Sequence, residues 1–423
     1  MEYNHYNAKA FNLHMIKTNK FKTITIMVTF KRPIKKEEIT LRSFIHHLLL
    51  LSNKTYPKRM ILAKKAEELY GPNIVSKEHR VGNYALTYFY MTMINEKHLE
   101  EGLNEKAISF FTDIIFNPNA DEKGFDKESF KIVKNEITAR IQSLKEDSSS
   151  YSLVRMLEQI DPDSPLSYRN GYLDEIDKID EVKAYEYYKS MIHSDLVDVY
   201  VLGDIDFDEM KHLIINKIPI NTVKINKHNL LIKHNKIRRY IKTKLEEDKV
   251  KQAKLVIGCK ITDLTEYEYK YVLPLYSNIL GGPSYSKLFD SVREKNSLAY
   301  YIYSNFIRGD NLLTISSGIN KDNFKLTLKL IKKEMDNISK GKISDEELSK
   351  AKENILGTIK SIEDNPFHLT VNYMWQSLYK LDDIEARKKN LFKVTIEDIK
   401  KISKKIKIDT VYMLHGGDTD ERD

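Results

Sequence analysis

Residues 280–303 read LGGPSYSKLFDSVREKNSLAYYIY. A phosphate cradle at Gly281-Gly282-Pro283 would need GxGxxG or GxxxxGK[ST] spacing, which is missing here, so that reading is weak. Beyond the glycines, residues 298–306 predict a strand. Working outward, 254–261 (KLVIGCKI) predicts a strand and 266–280 a helix. Residues 311–319 predict a further strand, and 324–338 a helix after the Asn320-Lys321-Asp322 turn. A long helix is predicted over 346–362, and 410–414 closes as a strand.

The first half has the same grammar. Residues 21–31 (FKTITIMVTFK) alternate and are rich in β-branched side chains, so they predict a strand. Helices are predicted over 37–51, 61–70, 99–116, 126–144 and 184–192, with strands over 84–94 and 196–202. Gly71-Pro72 stops one helix and Asn117-Pro118-Asn119 another. The halves overlay: 28–45 (VTFKRPIKKEEITLRSFI) parallels 257–274 (IGCKITDLTEYEYKYVLP), and 125–143 parallels 343–361. A repeat of roughly two hundred residues is a duplicated domain, not a solenoid. The expected division is 1–222 and 223–423, with 219–235 as the linker. Strands grouped with long helices, without strict βαβ alternation, place both halves in the α+β class.

Composition narrows the function. The 41% hydrophobic content supplies globular cores, and 423 residues exceed one ordinary core. The net charge of +8 comes from 69 basic residues interleaved with 61 acidic ones. That pattern is a solvated helix face, and with no recognised motif it gives no case for nucleic acid. No run of eighteen apolar residues predicts a membrane span, and the N-terminal stretch has no apolar h-region. The single cysteine, Cys259, excludes an internal disulfide framework and lies in an apolar run, so it is expected to be an inert core residue. A cytoplasmic location is the expectation.

Few residues offer chemistry. Arg293 has a planar fork of donors suited to peptide carbonyls or carboxylates, and Tyr300 has a hydroxyl on a rigid ring. His46 and His47 are adjacent on a predicted helix, so their side chains diverge by about 100° and do not share a face. Their bland reading is two helix histidines, one facing the core. No GxSxG elbow occurs, and Gly203-Asp204 after a strand reads as a turn.

The stretch with Arg293 and Tyr300 resembles the substrate-side signature of the M16 (pitrilysin/insulinase-like) metallopeptidases. The resemblance spans nearly the whole chain. It implies two homologous domains of the LuxS/mitochondrial-processing-peptidase type, each a mostly antiparallel sheet with helices packed on one face. It also implies that Arg293 and Tyr300 hold the substrate backbone. A working member carries an HxxEH zinc motif, whose two histidines and carboxylate base converge on one helix face. With Thr55-Tyr56-Pro57 matching the family's continuation, Ser43 takes the first histidine position and His46 that of the general-base Glu. Only His47 matches a ligand, and Glu136 corresponds to the third. The expectation is therefore no catalytic residue, no metal and no cofactor in this chain; His47 and Glu136 are at most a remnant.

The segments 18–44, 55–71, 116–119, 140–159 and 187–204 are similar to the YmfF type, bacterial M16-like proteins without HxxEH. The resemblance implies pairing with a YmfH-like, zinc-bearing paralogue as a heterodimer, or a homodimer, enclosing a peptide-processing chamber. Family naming links the type to 5-aminopentanol modification of elongation factor P. Two alternatives stand beside it: an active zinc peptidase with an atypical site at His47 and Glu136, and a non-enzymatic scaffold that binds a protein partner.

Overall fold

The computed structural model describes residues 1–8, 10–169, 171–220, 229–234 and 236–417. Residues 221–228 and 235 of the expected linker, and with them the 222/223 boundary, lie outside the described residues.

The chain forms two compact units. One comprises Met1–Gln142, Arg169–Asn229 and Ile362–Leu378; the other comprises Ser143–Tyr168, Leu230–Ser361 and Tyr379–Asp423. In chain order the strands are β1 (Glu2–Asn7), β2 (Asn12–Lys17), β3 (Thr23–Pro33), β4 (Asn73–Val81), β5 (Tyr84–Ile94), a ribbon of β6 (Ala120–Asp121) with β7 (Gly124–Phe125), and β8 (Leu196–Gly203). The second unit continues with β9 (Lys242–Glu247), β10 (Ala253–Ile261), β11 (Ala299–Ile307), β12 (Leu312–Ile319) and β13 (Ile406–His415).

The first sheet has the order β1-β2-β8-β3-β5-β4 and the second β11-β12-β10-β13-β9. In the first only β2–β8 is parallel; in the second only β13–β9 is. The series β2, β8, β3, β5, β4 therefore matches β9, β13, β10, β12, β11 pair for pair, and β1 is an addition. The duplication read from 28–45 and 257–274 sets β3 against β10, as the topology does.

Central strands carry apolar and threonine side chains because both their faces are covered. β3, TITIMVTFKRP, is buried along most of its length, and so is β5. The edge strand β4, NIVSKEHRV, is polar and half exposed, as edges that must not recruit another strand usually are. That polarity is why β4 is not predicted from the sequence, and the same holds for β1 and β9; β2, NLHMIK, is buried but is short and interrupted by His14. The helix expected at 99–116 begins at Leu103, after Gly102 in a left-handed conformation at φ +79°. The helix expected at 266–280 contains a π segment, Glu268–Val272, leading into Leu273–Gly281. Pro274, with no N–H, cannot make the usual bond one turn back, and the wider register lies there.

The main core of each unit lies between its sheet and its helical layer. The opposite sheet face is covered by a helix from the other half of the sequence, which sequence analysis does not anticipate. In the second unit the helix Ser148–Ile160 sets Tyr151, Met156 and Ile160 among Val256, Leu312, Tyr412 and Leu414. Gly258 of β10 makes room for it: a Cβ there would lie 2.6 Å from both Ile160 Cδ1 and Met156 Sδ. In the first unit the helix Pro366–Tyr379 stacks Tyr373 on Tyr3 at 5.3 Å and packs the Phe367 ring edgewise against Tyr90 at 4.7 Å. Cys259 is fully buried in β10, and burial pushes its thiol up to about 12, so it is chemically inert. Among the described residues no helix is long and apolar enough to cross a membrane.

Candidate functional site

The helix Ile39–Leu51, ITLRSFIHHLLLL, carries Ser43, His46 and His47 in the first unit. It is buried almost all round. Phe44 stacks on Phe130 of the helix Lys127–Gln142 at 5.2 Å, and Arg42 points under the helix onto the sheet. Arg42 donates to Thr87 Oγ1 at 2.8 Å, the Tyr187 hydroxyl at 3.1 Å, the Phe30 carbonyl at 2.8 Å and Asp195 Oδ2 at 2.9 Å. Asp195 also accepts from Arg32 Nε at 2.5 Å. This buried network fixes how the helix sits on β3 and β5.

Ser43 and His46 both face β4. The Ser43 hydroxyl donates to Glu78 Oε2 at 2.8 Å. His46 Nδ1 lies 3.0 Å from Ser76 Oγ, and that hydroxyl donates its hydrogen to the His46 carbonyl at 3.3 Å. The other ring nitrogen, Nε2, lies 3.8 Å from Glu78 Oε2. That nitrogen is buried and has no hydrogen-bond partner. Burial, then the charges of His47, Arg140 and Arg42, hold His46 well below the usual histidine range, so the ring is neutral. Burial also pushes the Glu78 carboxyl up to about 6, against the pull of the Ser43 hydroxyl and the Arg42 and Arg140 guanidiniums.

That shift has a testable sign. Between the unfolded value of 4.5 and about 6 the folded chain holds a proton that the unfolded chain lacks. A penalty on folding is therefore present above about pH 6 and fades as pH falls. The shift is worth about 2 kcal/mol in full, of which roughly 1 kcal/mol is recovered between pH 7.5 and pH 5. Urea unfolding of wild type and Glu78→Gln at both pH values checks this. The variant's stability relative to wild type is expected to be about 1 kcal/mol more favourable at pH 7.5 than at pH 5. A pH-independent difference would mean that the carboxyl titrates normally.

His47 lies beside His46, with the two ring centroids 4.2 Å apart, so the expected divergence of the two side chains is not what the structure has: the long side chains lean together although their Cα–Cβ bonds point apart. His47 Nε2 lies 3.2 Å from Arg140 Nη1 on the helix Lys127–Gln142. Arginine has only donors, so Nε2 is the acceptor. Burial and then Arg140 lower the His47 pKa, with Glu136 opposing. Glu136 is exposed on the same helix. The Ser43 hydroxyl is committed to Glu78, and the His47 lone pair is taken by a cation. Among the described residues no group of three or more His, Cys, Asp or Glu is placed to hold a metal ion. The residues present do not fit zinc.

Glu78, Ser76, Arg42 and Arg140 are absent from the sequence-derived candidates. Period two places Ser76 and Glu78 on one face of β4, and Arg140 stands one turn beyond Glu136, so both spacings were readable once the elements were known.

Arg293 and Tyr300 lie in the second unit and line one shallow depression of about 450 Å³, together with Gln252, Ser297 and Asn320. Arg293 lies in the last turn of a π segment, Phe289–Glu294, and its guanidinium sits 4.7 Å over the Phe289 ring. Ser297, with φ +50°, reverses the chain, and its N–H bonds the Arg293 carbonyl at 3.0 Å. The reversal places Tyr300 at the start of β11, on the same rim. Tyr300 is 77% exposed and the Arg293 side chain 44% exposed. The Gly281 turn is structural: a Cβ there would lie 2.6 Å from the Ser304 backbone nitrogen of β11.

Two units of duplicated sheet topology with helices packed on each are the arrangement that the resemblance to M16 proteins implies. A family profile described as "Peptidase M16 inactive domain" matches residues 178–355. A Bacillus subtilis protein described as a probable inactive metalloprotease, YmfF, is 31% identical over 410 residues, covering 95% of each chain. A second B. subtilis protein, the uncharacterized zinc protease YmxG, is 31% identical over 110 residues, 26% of this chain. The crystal structure of a conserved protein from Enterococcus faecalis V583 superposes with a TM-score of 0.92 at 26% identity, covering all of both chains. The chain belongs to the M16 peptidase family and is an inactive, peptidase-like member of it.

Proposed function

We propose that this chain is the non-catalytic subunit of a cytoplasmic peptide-processing assembly, in which an HxxEH-bearing M16 paralogue of the YmfH type supplies the zinc and the cleavage. The observation that carries this reading is the asymmetry between the two sites. The metal-side positions hold Ser43 bonded to Glu78 and His47 bonded to Arg140. The substrate-side Arg293 and Tyr300 stand exposed around one depression. Their donors suit an extended peptide backbone or its terminal carboxylate. Zinc belongs in the partner, not here, and heterodimerisation is preferred to a homodimer, since two copies of this chain would have no metal-side machinery. The occurrence of a partly similar zinc protease beside the inactive relative in B. subtilis supports a paralogue as partner. Modification of elongation factor P is the pathway in which we place the assembly, on the family resemblance.

The test is zinc content and peptidase activity of the purified chain, alone and mixed with the M16 relative of its own organism. We expect neither zinc nor turnover alone, and turnover on mixing that requires the relative's HxxEH. Stoichiometric zinc and turnover by this chain alone would overturn the reading. A stable complex whose activity is indifferent to Arg293 and Tyr300 would leave a scaffold that binds its partner only.

A further inference from the structure

We infer that Arg140 is a built-in cation at the position a metal would take, and that it excludes divalent metal from this helix face independently of the missing ligands. The geometry is specific. Zinc would sit about 2.1 Å from a histidine nitrogen, along its lone pair. In this chain Arg140 Nη1 lies 3.2 Å from His47 Nε2 and takes that lone pair. A guanidinium nitrogen and an ion cannot share it. Arg140 reaches it because it is one turn beyond Glu136 on the helix Lys127–Gln142, so both rise on one side toward the helix Ile39–Leu51.

The surroundings fit a cation. Beyond its contact with His47, the guanidinium charge is felt at His46, Glu78 and His79. His46 and His47 lie with ring centroids 4.2 Å apart, and the guanidinium neighbours both. Two imidazoles in ring contact, one of them accepting from the guanidinium, make a place that favours one cation over a second. A fixed monovalent charge in contact repels a divalent ion, which a lysine or solvent would do less persistently. The inference concerns this chain alone and does not depend on whether it pairs with a paralogue.

It predicts that restoring the motif residues does not restore the site. Zinc retained after equilibrium dialysis is measured by elemental mass spectrometry for the full chain carrying S43H and H46E, with and without R140A. The double variant is expected to retain little zinc, and the triple variant close to one equivalent. Equal zinc in both, or none in either, overturns the inference. Ser43 and His46 are buried, so these variants could fail to fold, which circular dichroism would show. Arg140 is exposed, and a second pair then decides. R140A alone is expected to bind added Zn²⁺ about tenfold more tightly than the wild type, through His47, and R140A/H47A to lose that gain. An unchanged affinity in R140A, or a gain that survives H47A, overturns the inference.

Discussion

Replacing Arg42 with methionine is expected to destabilise the first unit by about 3–5 kcal/mol, the usual cost of removing one partner from a buried ion pair. Arg42 is 1% exposed and Asp195 is fully buried. The substitution leaves Asp195 with Arg32 as its remaining guanidinium partner, and it strips the Phe30 carbonyl, the Thr87 hydroxyl and the Tyr187 hydroxyl of a common donor. Burial raises the Tyr187 hydroxyl to about 12, so it cannot ionise to compensate. Thermal unfolding should show a midpoint roughly 10 °C lower for a unit of this size. Thr87→Val removes one acceptor and should cost about 1 kcal/mol. A loss below that for Arg42→Met would show that apolar packing by Phe44, Ile45 and Leu48, not this network, seats the helix on the sheet.

Replacing Arg293 with alanine is expected to weaken peptide binding by the reconstituted assembly about 10- to 100-fold, because hydrogen bonds from a charged donor contribute about 1.5–3 kcal/mol each. Tyr300→Phe removes a single neutral donor and should weaken binding roughly three- to tenfold. Both side chains are exposed, so neither change should lower the unfolding midpoint. That separates a binding role from a folding role. Peptide affinity and turnover are measured on the assembly with each variant present. Binding unchanged by either substitution would mean that the depression beside β11 does not hold peptide.

Much of the fold was legible before any coordinates. Residues 84–94 and 196–202 read as strands because buried central strands are strings of Val, Ile, Leu, Phe and Tyr, and the structure has β5 and β8 there. The duplication was legible because both copies keep the same order of strand, turn and helix. Among the missed strands, β1, β4 and β9 are edges, where solvent permits Lys, Glu, His and Asn in place of apolar residues; β2 is buried but short and interrupted by His14, and the ribbon strands β6 and β7 have two residues each. Several helices were missed as well, among them Phe207–Lys217, Ile384–Phe392 and Ile396–Ser403, and two of the missed ones are of another kind. Ser148–Ile160 opens on three serines, and Pro366–Tyr379 mixes aromatic and polar residues without a clean stripe, because each fills the far face of a sheet that already has its core on the other side.

The candidate site divides the same way. The sequence by itself determined the family and the duplicated α+β plan, and through the resemblance it pointed to Ser43 and His46 as the residues to look at. Residue identity could not say what those side chains touch. Glu78 on β4, thirty-five positions from Ser43, closes the Ser43 and His46 side of the site. Arg140, ninety-three positions from His47, closes the other. Only the tertiary structure decided both, because hydrogen bonds and charges act over a few ångströms of space and take no account of distance along the chain.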